Sequence, residues 1–226
     1  MSGRDGPTVK EIEHALRRGP AHSRESGDGR GARADAEAEA ALAAAQRLSD
    51  RLAGEGLVDI SYGPVDSPFG ELLLATSEQG LLRLAFPEEN EDSVLERLAA
   101  RVSPRIVQAP AQLDPIRREL DEYFAGRRRA FELPLDWTLV GPFGRRVLGA
   151  TAQIPYGRVS TYTEVAAEAG SPRGSRAAGN ALGANPIPIV VPCHRVLRGS
   201  GALGGYAGGL PRKQFLLELE GAMGDR

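Results

Sequence analysis

Cys193 is the only cysteine in 226 residues, and it stands in PIPIVVPCHRVLRG between Pro192 and His194, with Arg195 following. A lone cysteine is most often a small, inert hydrophobe in a core. One that ends an apolar run beside a histidine and an arginine is better placed to react as a thiolate, because nearby positive charge favours ionised sulfur. The run before it, NPIPIVV, is apolar and β-branched and is expected to be a short buried strand. A single cysteine excludes an intramolecular disulfide and a cysteine-rich zinc site. The other histidines are His14 and His22, so no metal-ligand cluster is visible.

A chain of this length with 41% hydrophobic residues can bury a core, and two small domains are expected. The N-terminus, MSGRDGPTVKEIEHAL, lacks the apolar centre of a signal peptide, and no apolar run approaches the roughly 20 residues of a membrane helix. The expectation is a soluble, cytoplasmic protein with no metal, no cofactor and no membrane contact. Charge is uneven: residues 1–140 carry 18 Lys+Arg against 25 Asp+Glu, whereas residues 141–226 carry 10 against 5. Such asymmetry hints at a polyanionic partner for the basic part, with uneven surface decoration as the alternative. Lys10 and Lys213 are the only lysines, so nearly all positive charge is arginine.

The elements that must position the thiol can be traced along the chain. A short helix is expected near residues 1–17, then a polar, glycine-rich flexible segment, GPAHSRESGDGRGARAD. AEAEAALAAAQRLSDRLAGEG predicts a helix near 36–53, stopped by Gly54 and Gly56, within an N-terminal extension of residues 1–56. Three β-rich runs near 57–64, 70–77 and 80–86, separated by PVDSPFG and SEQG, predict an antiparallel meander. Asn90 is placed to cap a helix over EDSVLERLAARV, a second helix should run through DPIRRELDEYF to Gly126, and RAFELPLDWTL could return as a further strand. This unit, 57–138, has no cysteine, histidine or phosphate loop and reads as scaffold.

A second unit, 139–226, opens with a helix in GPFGRRVLGATAQ that ends before Pro155. STYTEVAAEAG follows, capped by Ser160 or Thr161 and stopped by Gly170. SPRGSRAAGNALGANP then begins near Pro172 and ends at Asn185–Pro186. Two short helices joined by a tight turn in the basic half match a helix-turn-helix. The second of them is nearly bare: Ala177, Ala178, Gly179, Ala181, Gly183 and Ala184, with Arg176 its one long basic side chain. A major-groove reader needs side chains that reach base edges. A smooth helix suits a close approach to a backbone or a minor groove, or simply tight packing against another helix.

PYGRVSTYTEVA, SRAAGNALGANP, PIPIVVPCHRV and GGYAGGLPRKQFLLELEG, in this order and spacing, resemble the O6-alkylguanine-DNA alkyltransferase family. The resemblance covers about residues 57–222. It implies an α+β protein: a ribonuclease-H-like domain with a small antiparallel sheet, then a mostly helical, winged-helix-like domain carrying the helix-turn-helix. The activity it implies is DNA repair in which the methyl or alkyl group of O6-alkylguanine, with O4-alkylthymine a further candidate, moves irreversibly onto Cys193. The target nucleotide is first rotated out of double-stranded DNA gripped from the minor groove. Each molecule, a monomer, acts once. Attack on an unactivated methyl needs a soft, strong nucleophile, and a thiol with a pKa of about 8.5 needs a base to become one.

The resemblance further implies that His194 takes the thiol proton through a water and that Glu220 orients His194. Asn185 would hold the active-site turn, or else merely cap the helix before Pro186. Tyr162 would help rotate the nucleotide and donate to the leaving oxygen, where packing at a helix start is the plainer alternative. Arg176 would fill the space of the extruded base, with Ala177, Ala178 and Ala181 along the same helix against DNA. GALGGYAGGL would be the substrate loop: Tyr206 and Val196 wall the pocket, Ala207 contributes only its main chain where some relatives have serine, and Lys213 orients the loop. Some relatives bind a structural zinc in the first domain; its ligands are absent here. Two other classes compete: a Cys–His hydrolase acting through an acyl-enzyme, which needs an oxyanion hole, and a helix-turn-helix regulator with an incidental cysteine, which needs side chains that read bases.

Overall fold

The computed structural model describes residues 29–223. The expected helix near 1–17 lies outside them. The described residues divide into two compact units, one up to Leu48 and one from Ser49 onward. Helix α1, Gly29–Gly54, starts before the expected residue 36. Ala32, Arg33 and Ala34 favour helix, so the alanine-rich stretch propagates backwards through what reads as flexible segment.

In the unit from residue 49 onward, β1 (Ile60–Val65), β2 (Leu72–Ser77) and β3 (Gly80–Ala85) form the expected meander. The sheet, however, is mixed. After helix α2 (Glu91–Arg101), a three-residue strand β4 (Ile106–Gln108) pairs in parallel with β1, giving the order β3-β2-β1-β4. A run this short carries no periodicity to read. Asn90 caps α2 by accepting from the Ser93 amide at 2.9 Å.

Both faces of the sheet are covered. Ile60, Tyr62, Ala75, Leu82 and Ala85 pack with Val94 and Leu98 of α2. Leu72, Leu74, Leu81 and Leu84 face the larger core with helix α3 (Asp114–Phe124), which contributes Ile116, Leu120 and Tyr123. Alternation along β3 slips where its register with β2 shifts between Ala75 and Thr76, as a bulge allows. The further strand expected in RAFELPLDWTL does not form. Pro134 interrupts it, leaving one bridge between Leu135 and Leu81. Gly80 sits there at φ +127°, and a Cβ on it would lie 2.2 Å from the Pro134 carbonyl oxygen, so only glycine fits.

Helices α4 (Pro142–Ala152), α5 (Tyr162–Glu168) and α6 (Ser175–Gly183) follow, with α7 (Leu210–Leu219) near the end. Thr161 and Glu164 close a full capping box on α5. The core is continuous across both halves: Val147, Val165, Ala178, Ile187, Val191 and Leu216 join the cluster that covers the sheet.

Candidate active site

NPIPIVV is buried but is not a strand. Pro186, Pro188 and Pro192 remove the amides a ladder needs, and Ile189 takes φ +74°. The result is a tight buried turn, closed by the Val191 amide on the Ile187 carbonyl at 2.9 Å. Asn185 holds it from inside. Its Nδ2 donates to the Val191 carbonyl at 2.9 Å and to Cys193 Sγ at 3.2 Å, and its Oδ1 accepts from the Ile187 amide at 3.0 Å. Cys193, His194 and Arg195 then form one 3-10 turn before β6 (Val196–Leu197). β6 pairs in parallel with β5 (Ser160–Thr161), which leads directly into α5 and so brings Tyr162 to the thiol.

His194 is wholly buried. Its Nε2 lies 3.0 Å from Glu220 Oε1, while its Nδ1 has no hydrogen-bond partner among the described residues. Burial pushes the imidazole pKa down, and the bond to Glu220 only partly opposes this, so the resting ring is neutral. Burial alone would raise Glu220, but bonds from His194 and Arg195 outweigh it and hold the carboxyl at about 2. An ionised Glu220 must accept, so Nε2 carries the ring proton and Nδ1 is left as a base.

Arg195 departs from expectation. Its guanidinium grips Glu220 through Nε and Nη2, both at 2.8 Å, instead of serving the thiol. Cys193 is accordingly no resting thiolate: burial pushes it up to about 11, against the help of Asn185 and the charge of Lys213. A base must act before it can attack.

A cavity of about 670 Å³ opens over the sulfur, lined by Tyr162, Arg176, Gly179, Cys193, Arg198 and Tyr206, with Ala207 at its edge. The Tyr162 ring lies against α6 at Gly179, where a Cβ would sit in ordinary contact with it at 3.6 Å. The Tyr162 hydroxyl donates to the Gly205 carbonyl at 3.3 Å. Tyr206 stands edge-on to His194 with ring centroids 6.4 Å apart, and its buried hydroxyl has no partner among the described residues.

Two expected contacts lie elsewhere, those of Val196 and Ala178. Val196 does not line the cavity, because pairing with Ser160 turns its side chain into the core. Lys213 is buried and does meet the loop it is expected to orient. The Lys213 ammonium donates to the carbonyls of Val196 at 2.6 Å, Leu203, and Gly205 at 3.3 Å, tying the glycine-rich loop to β6. Burial brings it down to about 8. Ala178 is fully buried beneath α6, one turn from Leu182, and cannot face DNA. Arg176 and Ala177 are exposed on that helix and Ala181 is half-buried.

Among the described residues, no group of three or more His, Cys, Asp or Glu could hold a metal, and no helix is long and apolar enough to cross a membrane.

The site is thus a buried thiol at the floor of a cleft beside two short helices, backed by a histidine–carboxylate pair. Residues 60–137 match the 6-O-methylguanine DNA methyltransferase ribonuclease-like domain, and residues 142–222 match the DNA-binding domain of the same family. The chain belongs to the 6-O-methylguanine DNA methyltransferase family. It is 43% identical to a methylated-DNA–protein-cysteine methyltransferase of Mycolicibacterium paratuberculosis, over 71% of this chain and 92% of that one. The constitutive enzyme of that name from Bacillus subtilis is 37% identical over 70% and 94%. Among solved structures, Mycobacterium tuberculosis OGT in complex with DNA superposes with a TM-score of 0.62 at 38% identity, covering 72% of this chain and 93% of that one.

Proposed function

We propose that this chain repairs O6-alkylguanine in double-stranded DNA by a single, irreversible transfer of the alkyl group to Cys193. The observation that carries this reading is the arrangement around Cys193: a buried thiol at a cavity, next in the chain to a histidine that meets Glu220 through Nε2 at 3.0 Å and whose Nδ1 has no partner among the described residues. A water between Cys193 and His194 Nδ1 relays the thiol proton to the ring, and Glu220 supports the imidazolium that results. The Sγ–carbon bond forms as the carbon–O6 bond breaks, and the bond pair goes to O6. The departing guanine takes up a proton, with Tyr162 as donor at that oxygen. A thioether is a poor leaving group, so the protein is spent.

The exposed side of α6, with Ala177 and Ala181, suits the minor groove because small side chains admit the backbone closely. Arg176, at the cavity mouth, replaces the base rotated into the pocket, a rotation that costs a few kcal/mol. On this reading residues 57–138 are the scaffold, 139–226 grip DNA and accept the alkyl group, and 1–56 are an extension. Cys193→Ala tests it. With a duplex bearing one O6-methylguanine, the variant should lose transfer entirely and retain affinity. Transfer by the variant would remove Cys193 from the chemistry.

A further inference from the structure

Glu220 takes more donors than an orienting partner of His194 needs. Oε1 accepts from His194 Nε2 at 3.0 Å, Arg195 Nη2 at 2.8 Å and the Tyr123 hydroxyl at 2.6 Å, while Oε2 accepts from Arg195 Nε at 2.8 Å and the Gly157 amide at 3.4 Å. The shortest of these comes from farthest away in the chain. Tyr123 lies on α3, within the segment that matches the ribonuclease-like domain, 97 residues from Glu220. It follows Ile116 and Leu120 on the buried face of that helix and is itself fully buried. Its ring packs against Phe124, Phe131 and Tyr156 at centroid distances of 5.5, 5.1 and 6.2 Å. A phenylalanine would serve that packing; the hydroxyl is what distinguishes this position.

We propose that Tyr123 is a positioning residue of the transfer reaction: it fixes Glu220 from the scaffold side and limits how strongly that carboxylate draws on the His194 proton. Three donors on one oxygen share its lone pairs, so each weakens the others. The remaining groups facing the pair are Arg195 on the 3-10 turn, Lys213 from α7, Tyr206 from the glycine-rich loop and Cys193 itself. Tyr156 stands beside it too, with Arg129 5.8 Å from its ring, but its hydroxyl donates to the Leu219 carbonyl. Tyr123 is therefore the one hydroxyl donor that this carboxylate takes among the described residues. The two halves of the body thus meet in the proton relay as well as in the core.

The proposal rests on His194 as the base, and its test keeps the two apart. In Tyr123→Phe, Glu220 should hold the imidazole more tightly. The His194 Nε2–H resonance moves downfield, and the acid limb of the transfer rate against pH moves up by about half a unit. The plateau rate falls severalfold because Glu220 is freer to turn. Site-specific 3-fluorotyrosine at position 123 keeps the ring and the fold but is a stronger donor, so both shifts should reverse. An unmoved ring resonance in both proteins, with at most a lower Tm, would overturn the proposal by leaving Tyr123 a packing residue. A resonance that moves while the rate profile does not would uphold the Tyr123 link and remove His194 as the base.

Discussion

Asp136 and Glu220 are both buried carboxylates, 1% and 5% exposed, and both are held ionised below the usual range. Asp136 does so with neutral donors close by: the Ser77 hydroxyl at 2.5 Å and the Thr138 amide at 2.8 Å. That network is closed and pins the chain after Pro134 to the end of β2. Glu220 is gripped by an arginine, a tyrosine and a histidine, and its network is open. Among the described residues, His194 Nδ1 and the Tyr206 hydroxyl end without partners near Cys193. Buried polar atoms are nearly always satisfied, so two loose ends around one thiol mark the place where chemistry, not folding, sets the arrangement.

Removing each charge should separate these roles. Glu220→Gln leaves Arg195 buried without its counter-charge and deprives the imidazolium of support. Transfer should fall about 10²–10⁴-fold, and denaturant unfolding should show a loss of about 3–5 kcal/mol. The acid response should change with it. Glu220 sits at about 2 in the folded chain against 4.5 ordinarily. Its stabilising effect is therefore complete above pH 4.5 and lost as pH falls toward 2, so Glu220→Gln should flatten that part of the curve.

The open network leaves the resting thiol protonated, and a small electrophile reads this directly. Iodoacetamide should modify Cys193 slowly at neutral pH, rising about tenfold per unit toward a pKa of about 11. A plateau near pH 7 would show a resting thiolate and collapse the contrast between an activated and a merely buried sulfur. The smallest effect belongs to the closed network. Asp136→Asn can still accept from the Thr138 amide, while its Nδ2 must donate to the Ser77 hydroxyl in reverse; the change should cost about 1 kcal/mol in denaturant unfolding, with the transfer rate unchanged.

What was legible in the sequence follows how local each signal is. β1 to β3 could be read because their apolar runs end at PVDSPFG and SEQG, and the caps at Asn90 and Thr161 are set by adjacent residues. At the turn before Cys193 hydropathy suggests a strand, while three prolines and the positive φ of Ile189 dictate otherwise. Cys193, His194, Asn185 and Glu220 were found through linked motifs, and the structure brings them together. Composition also exposed the bare α6, but not that Ala178 points inward; its spacing from Leu182 carried that information. Arg195 was visible but its direction was not, because a buried guanidinium turns to the carboxylate that satisfies it. Tyr123 left only a faint trace, an aromatic in step with Ile116 and Leu120, since its partner is far along the chain.

The most direct test is the intact mass of the full chain after incubation with a duplex carrying one O6-methylguanine, followed by mapping of the modified peptide. One methyl on the peptide containing Cys193, saturating at one per molecule as guanine is restored, is the predicted result. Restored guanine with an unmodified Cys193, or repeated turnover by one molecule, would contradict it.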